Sequence, residues 1–507
     1  MRFMTAVLTV TLATTLMATT LRAAPADVAV VVNATDTLGP LRMRVGTQFA
    51  WPGGLDRAAG TRDRFDALGL PIARINATTI ACCSAGAAPM IPAGTVKGSW
   101  DFSSLDSVVN DIKSAGAETF LTIAYAPEWM WTCPAGTIRD ATFGEFGDYM
   151  ARLVAYYNRG SFTAEDGSTI TNSAGVANRI TYWGLWNEPN LRSDGCPPGG
   201  FPYLGAMDYV TMWNAAAPRM LAVDPTIKLV GPTTAHGITG EVPEYLPALL
   251  NGATHQPDVV SFNDYGGWLN SQSDTFLFGG GSECCGLDAI ARGLAQVRAW
   301  APGTPVWITE LNVDAAWDQD DPARRPWTAY GAAWGASAFQ RLARGGADVV
   351  FQYQFTHPAL RQFSLVDLAT GTPLLSYWRD YYLARYFPPG STVLAASTSV
   401  SDVEVLAARP PDSGDVRVLV VNRQADDPSA VGGSGLPATV TISVAGMPQV
   451  TAVTVRMLES STPLDSGPVA VSLPVSDSAT ISFPGYGAAL LEFRTGSPAA
   501  PGRATGP

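Results

Sequence analysis

Val306-Trp-Ile-Thr-Glu-Leu311, a helix near Ala329–Arg344, then Val349-Val-Phe-Gln-Tyr-Gln-Phe355: this stretch reads as strand, helix, strand. Both strands are apolar runs, as expected where a parallel sheet is covered on both faces. The same order repeats toward the N-terminus. Predicted strands fall at Met43–Phe49, Ile72–Ile75, Thr119–Tyr125, Ile180–Trp186, Ile227–Val230 and Val259–Phe262. Helices are predicted near Leu55–Leu68, Phe102–Ala115, Phe143–Tyr157, Met207–Ala222, Tyr245–Leu250 and Leu287–Trp300, with Tyr377–Tyr386 closing the series. In the second of these, Leu105, Val108, Val109 and Ile112 recur at helical spacing. Eight such units over roughly 345 residues predict an α/β fold, a closed (β/α)8 TIM barrel with insertions. A doubly wound open sheet is the competing arrangement. It requires a switch point and usually a Gly-rich phosphate loop, and the chain has neither a G-x-G-x-x-G after a strand nor a P-loop.

Beyond Pro388–Gly390 the helical period stops. Val403–Ala407, Val416–Val421, Thr439–Val444, Val450–Met457, Val469–Leu473, Ala479–Phe483 and Ala488–Phe493 read as strands separated by turn residues, which predicts a C-terminal all-β sandwich. The early β-branched run Val28–Val32 is expected to pair into it. The division is therefore an export signal over 1–24, an N-terminal strand over 25–39, the barrel over 40–387, the sandwich over 388–495 and a disordered Pro/Gly/Ala tail over 496–507. The signal rests on Arg2, the uncharged run Met4–Met17 and the small residues Ala23, Ala24 and Ala26. It makes a secreted or periplasmic location the expectation, with no membrane association after cleavage.

The 507 residues are 47% hydrophobic and 15% charged, a globular composition. The formal charge of −12 is the wrong sign for a nucleic-acid partner and leaves a neutral ligand as the best fit. Oligomeric state is not legible. Six cysteines, at 82, 83, 133, 196, 284 and 285, read as disulfides after export. Cys133 with Cys196 is one candidate pair; the two adjacent pairs are either vicinal bridges or cross-linked to each other. Zinc is the rival reading, but His236, His255 and His357 stand near no Cys pair, so no metal and no cofactor is expected.

Reactive groups in such barrels sit at the C-terminal ends of the strands. The fourth strand runs out in Tyr182-Trp-Gly-Leu-Trp-Asn-Glu-Pro-Asn190 and the seventh in Val306-Trp-Ile-Thr-Glu-Leu-Asn312. Glu188 and Glu310 thus face each other across the barrel mouth. A lone strand-end Glu is ordinarily a solvated rim residue or an ion-pair partner, but two at these ends match what glycosidic bond cleavage needs. One carboxyl stays protonated to assist the leaving oxygen, and the other stays ionised to attack the anomeric carbon.

Trp186-Asn-Glu-Pro-Asn-Leu191 and Ile308-Thr-Glu-Leu-Asn312 resemble the acid/base and nucleophile segments of clan A glycoside hydrolases, closest in look to family thirty-nine, the β-xylosidase group. The resemblance spans barrel and sandwich. It implies a retaining hydrolase with Glu188 as general acid/base and Glu310 as nucleophile. It further implies that Asn187 binds the sugar 2-hydroxyl, that Arg74 keeps Glu310 ionised and that Tyr265 donates to the nucleophile. One departure stands out: where the family pattern has Ser-Phe-His-x-Tyr, this chain has Ser261-Phe-Asn-Asp-Tyr265. Asn263 hydrogen-bonds but carries no proton near neutral pH.

Trp51, Trp129, Trp131, Trp268 and Trp317 fall at or past predicted strand ends, where flat rings stack on sugar C–H faces; Trp183 and Trp307, inside strands, read as core. Gln352 and Gln354 on the eighth strand are candidates for hydroxyl contacts, with one of them able to face the helix layer instead. The expected partner is an oligosaccharide or polysaccharide. Two alternatives share these features: a non-catalytic carbohydrate-binding or cell-surface protein on a hydrolase scaffold, and a transglycosylase.

Overall fold

The computed structural model describes residues 26–49, 55, 60–77, 90–132, 136–191, 203–236, 242–279, 285–316, 321, 323–357 and 361–496. The expected signal, residues 497–507 of the tail, Trp51, Trp317 and every cysteine except Cys285 lie outside the described residues.

Eight parallel strands close into a barrel in sequence order: Arg44–Gln48, Ile72–Ala77, Glu118–Ile123, Tyr182–Gly184, Lys228–Ala235, Val259–Tyr265, Val306–Asn312 and Val349–Gln352. The helices between them match the expected ones to within a few residues, from Thr61–Leu68 to Leu375–Tyr386. Their apolar stripes pack on the strands, so that Leu105, Val108, Val109 and Ile112 of Ser103–Ser114 are all buried. Inside the cylinder Ile72, Phe120, Val230, Val259, Trp307 and Phe351 form a separate plug. Trp307 is its centre, with ring centroids 4.7 Å from Tyr182 and 5.4 Å from Phe120. A filled lumen leaves only the strand ends for a ligand.

Two strands differ from expectation for local reasons. The fifth was expected to stop at Val230 because Gly231-Pro232 breaks the apolar run. It continues to Ala235 across a cis Gly231–Pro232 bond and a register shift between Pro232 and Thr234. The fourth is shorter than expected. After Gly184 its backbone bonds both neighbours irregularly, Asn187 N–H to Ala124 O (3.2 Å) and Glu188 N–H to Thr233 O (2.8 Å).

The β domain is one continuous nine-stranded sheet that curls over a single core shared by Val30, Leu394, Val418, Ile442, Val453 and Leu491. The N-terminal strand Ala26–Pro40 does join it. It lies antiparallel to Thr392–Thr398, a strand the sequence reading passed over, and parallel to Ala438–Ala445. Burial alternates along Ala438–Ala445, the pattern of a sheet with one wet face. Glu404 of this domain accepts from Ser337, Gln340 and Arg341 of the helix Ala329–Gly345, and Asp274 of the barrel accepts the backbone N–H groups of Gly432 and Gly433. Among the described residues no helix is long and apolar enough to cross a membrane.

Candidate active site

Arg74, on the second barrel strand, is fully buried and is the hub of the strand ends. Its Nη1 donates to Glu310 Oε1 at 2.5 Å, to Gln48 Oε1 at 2.8 Å and to the Thr309 carbonyl at 3.2 Å. Nη2 donates to Asn187 Oδ1 at 2.7 Å, and Nε to Thr122 Oγ1 at 3.2 Å. Its guanidinium carbon lies 5.8 Å from the centre of the Phe120 ring at the top of the plug. A permanently charged, forked donor with every arm satisfied fixes whatever it holds.

Glu310 has both oxygens engaged, Oε1 by Arg74 and Oε2 by the Tyr265 hydroxyl at 2.7 Å. Burial first, and then the Glu310 charge, push the Tyr265 phenol well above its ordinary range, so it remains a donor. Both oxygens thus act as acceptors, one from a cation and one from a phenol. The strand register supports this placement. A shift between Phe262 and Asn263 sets Asn263 opposite Glu310 and Tyr265 opposite Asn312.

Glu188 has different surroundings. It takes a left-handed backbone conformation, φ 49°, immediately before Pro189. Its side-chain hydrogen-bond partner is neutral: Asn263 Nδ2 donates to Oε1 at 2.9 Å. Burial, and after it the neighbouring Glu310 charge, raise its pKa to about 7, against the opposing pull of the Asn263 hydrogen bond, His236 and Arg74. Asn263 also accepts from Thr309 Oγ1 at 2.7 Å and donates to Asn187 Oδ1 at 3.3 Å. Since Arg74 can only donate, the Asn187 atom facing it must be the carbonyl oxygen, which leaves the Asn187 amide nitrogen for other partners.

Arg74, Asn187, Glu188, Asn263, Tyr265 and Glu310 are therefore one hydrogen-bonded cluster. Gln48, Thr122 and Thr309 belong to it too and were missed, although each lies at or near a strand end. His236 was also missed as a site residue. It follows the fifth strand, and the early stop expected at Val230 separated it from the barrel mouth.

Two expected binding residues, Gln352 and Trp131, are corrected. Gln352 faces the helix layer: its Oε1 accepts from Arg379 Nη2 at 2.7 Å, and it lines a small cavity with Met43, Val45, Leu311 and Phe339. Trp131 is core, buried, with its indole N–H given to Ala126 O at 2.9 Å. Trp129 is partly buried, with Lys97 Nζ 5.1 Å and Arg139 Cζ 5.3 Å from the centre of its ring. Trp268 is 44% exposed and sits at the rim beside His236, ring centroids 6.4 Å apart. The two tryptophans should separate experimentally. Trp131→Ala is expected to cost about 3–5 kcal/mol in chemical denaturation. Trp268→Ala should stay within about 0.5 kcal/mol of the parent and show its effect as a raised KM on glycan. Among the described residues no group of three His, Cys, Asp or Glu side chains is arranged to hold a metal ion.

No family model matches the chain, and no curated protein matches it. Solved structures do. A monomeric β-xylosidase from Caulobacter crescentus CB15 aligns with TM-score 0.65 at 16% identity, over 92% of this chain and 100% of that one. A GH30 endoxylanase from Clostridium papyrosolvens C71 aligns with TM-score 0.60 at 14% identity, and an α-L-arabinofuranosidase from Thermotoga maritima with TM-score 0.61 at 13%, each over 92% of this chain and 100% of its own. What these alignments share with the chain is the architecture, a (β/α)8 barrel with a trailing β domain. At these identities the likeness concerns the fold, and the chemistry rests on the cluster of Arg74, Glu188 and Glu310.

Proposed function

We propose that this protein is an exported retaining glycoside hydrolase that cleaves O-glycosidic bonds of a neutral glycan. One observation carries the reading: two glutamates on opposing strand ends, Glu310 buried and Glu188 partly buried, sit in contrasting hydrogen-bonding surroundings. Glu310 is gripped by Arg74 and Tyr265, while Glu188, with only an amide donor, keeps its proton up to about pH 7. Export is supported by the N-terminal Arg2 and the apolar run to Met17, and the neutral glycan by the net charge of −12 and the exposed Trp268 ring.

In the first step a Glu310 oxygen attacks the anomeric carbon as the glycosidic C–O bond breaks, and the Glu188 proton passes to the leaving oxygen. The carboxylate left on Glu188 then takes a proton from water. That water attacks the same carbon from the opposite face and releases Glu310. Asn263 fixes which Glu188 oxygen is free: Oε1 accepts from it, so the proton sits on the other oxygen. The free Asn187 amide nitrogen is suited to a sugar hydroxyl.

The test is a panel of aryl glycosides and polysaccharides, followed by NMR of the first-formed anomer on whichever is cleaved. The product should keep the configuration of the substrate. An inverted first product would overturn the double displacement, and absence of turnover across the panel would favour a binding protein on this scaffold.

A further inference from the structure

Glu188 must alternate between acid and carboxylate in each cycle, and the side chain that touches it cannot respond. Asn263 is a fixed amide with both ends engaged. Arg74 is always charged. A second side chain able to carry positive charge, His236, stands at the end of the fifth strand, whose backbone is bonded to that of Glu188.

The backbone holds it there firmly. Glu188 N–H donates to Thr233 O at 2.8 Å, and Asn190 is locked to Ala235 by a reciprocal pair, Nδ2 to Ala235 O at 2.9 Å and Ala235 N–H to Oδ1 at 2.8 Å. These bonds tie the end of the fifth strand, just before His236, to the segment that carries Glu188 and Asn190. Its side chain is 31% exposed, its Nδ1 lies 3.4 Å from Asp264 Oδ1, and Asp264 stands between Asn263 and Tyr265.

We propose that His236, anchored by Asp264, is a positioning residue for Glu188: a protonatable cation that is tied to the acid/base loop and stabilises the carboxylate form. This rests on the reading of Glu188 as acid/base and adds a residue to it. The charged and titratable groups that act on the two side chains come from several strands: Arg74 from the second, Asp264 and Tyr265 from the sixth, and Glu310 from the seventh. Electrostatics agree in direction. Burial opposes the His236 charge, yet the Asp264 hydrogen bond and charge, with that of Glu188, lift its pKa above the ordinary value. His236 in turn pulls that of Glu188 down. Once Glu188 has delivered its proton, an imidazolium at the end of the fifth strand would offset the charge of the new carboxylate.

The chain has three histidines, so imidazole resonances can be followed individually by two-dimensional NMR in the intact protein. In the wild type His236 should titrate above the other two. In Glu188→Gln its midpoint should fall, because the carboxylate charge is gone. Reciprocally, the Glu188 carboxyl, observed by selective ¹³C labelling, should titrate higher in His236→Asn and return toward the wild-type midpoint in His236→Arg. Asn is chosen because His236 has φ 63°, a conformation Asn tolerates. An unchanged His236 midpoint in Glu188→Gln overturns the proposal even if a His236 variant fails to fold. None of these readouts needs a substrate. Coupling found in a protein that turns over no glycoside would therefore count against the proposed function and leave the pairing standing.

Discussion

Glu310→Ala is expected to lose on the order of 10⁴-fold or more of turnover on any accepted glycoside. In the proposed mechanism the substitution removes the atom that forms the covalent bond, and the neighbouring groups are poor replacements: Tyr265 is a phenol held protonated and Arg74 is a cation. It also opens space beside the anomeric carbon. Added azide should enter that space and yield a glycosyl azide of configuration opposite to the substrate, detectable by mass spectrometry and NMR. The same change strands the buried Arg74 guanidinium, so some loss of stability is expected. Leaving one partner of a buried ion pair alone costs about 3–5 kcal/mol. Glu310→Gln keeps the volume and an acceptor for Arg74; it should be as inactive and more stable, which separates chemistry from folding. Retention of more than a small fraction of activity in Glu310→Gln, after purification away from wild type, would remove Glu310 from the nucleophile role.

Glu188→Ala should divide substrates by their leaving group. General acid assistance is worth roughly 10² to 10⁴-fold. That loss should appear in full for alkyl glycosides and natural glycans, whose leaving oxygen needs a proton. Activated aryl glycosides should keep a fast first step, seen as a burst of released phenol, followed by a slow second step for want of a base. The wild-type pH profile tests the same assignment. Because burial and the Glu310 charge raise Glu188 to about 7, its acid form prevails below that pH, and kcat/KM should fall as pH rises through about 7. This limb should disappear for activated substrates in Glu188→Ala. A uniform loss across leaving groups would assign Glu188 to structure or binding instead.

Much of this was legible in the chain before any coordinates. Apolar strand runs alternating with helical segments defined the barrel, because burial on both faces leaves a periodic mark in the residues themselves. Asn187-Glu188-Pro189 and Thr309-Glu310 could be placed at strand ends for the same reason. Side-chain direction was less legible. Gln352 and Trp131 lie where a sequence reading puts rim residues, yet one turns to Arg379 and the other into the core, since a single step along a strand reverses its face. The irregular positions were least legible. The fifth strand passes a Gly-Pro pair that in isolation reads as a stop, and its neighbours on both sides keep it in the sheet.

The sequence by itself determined the architecture, the position of the two glutamates along the chain and the chemistry open to them, since composition and period act locally. Only the tertiary structure showed how differently the two glutamates are surrounded. That difference comes from Arg74, Tyr265, Asn263 and His236, brought from three other strands by closure of the barrel. A carboxyl's protonation depends on charges within a few ångströms, whatever their distance in sequence.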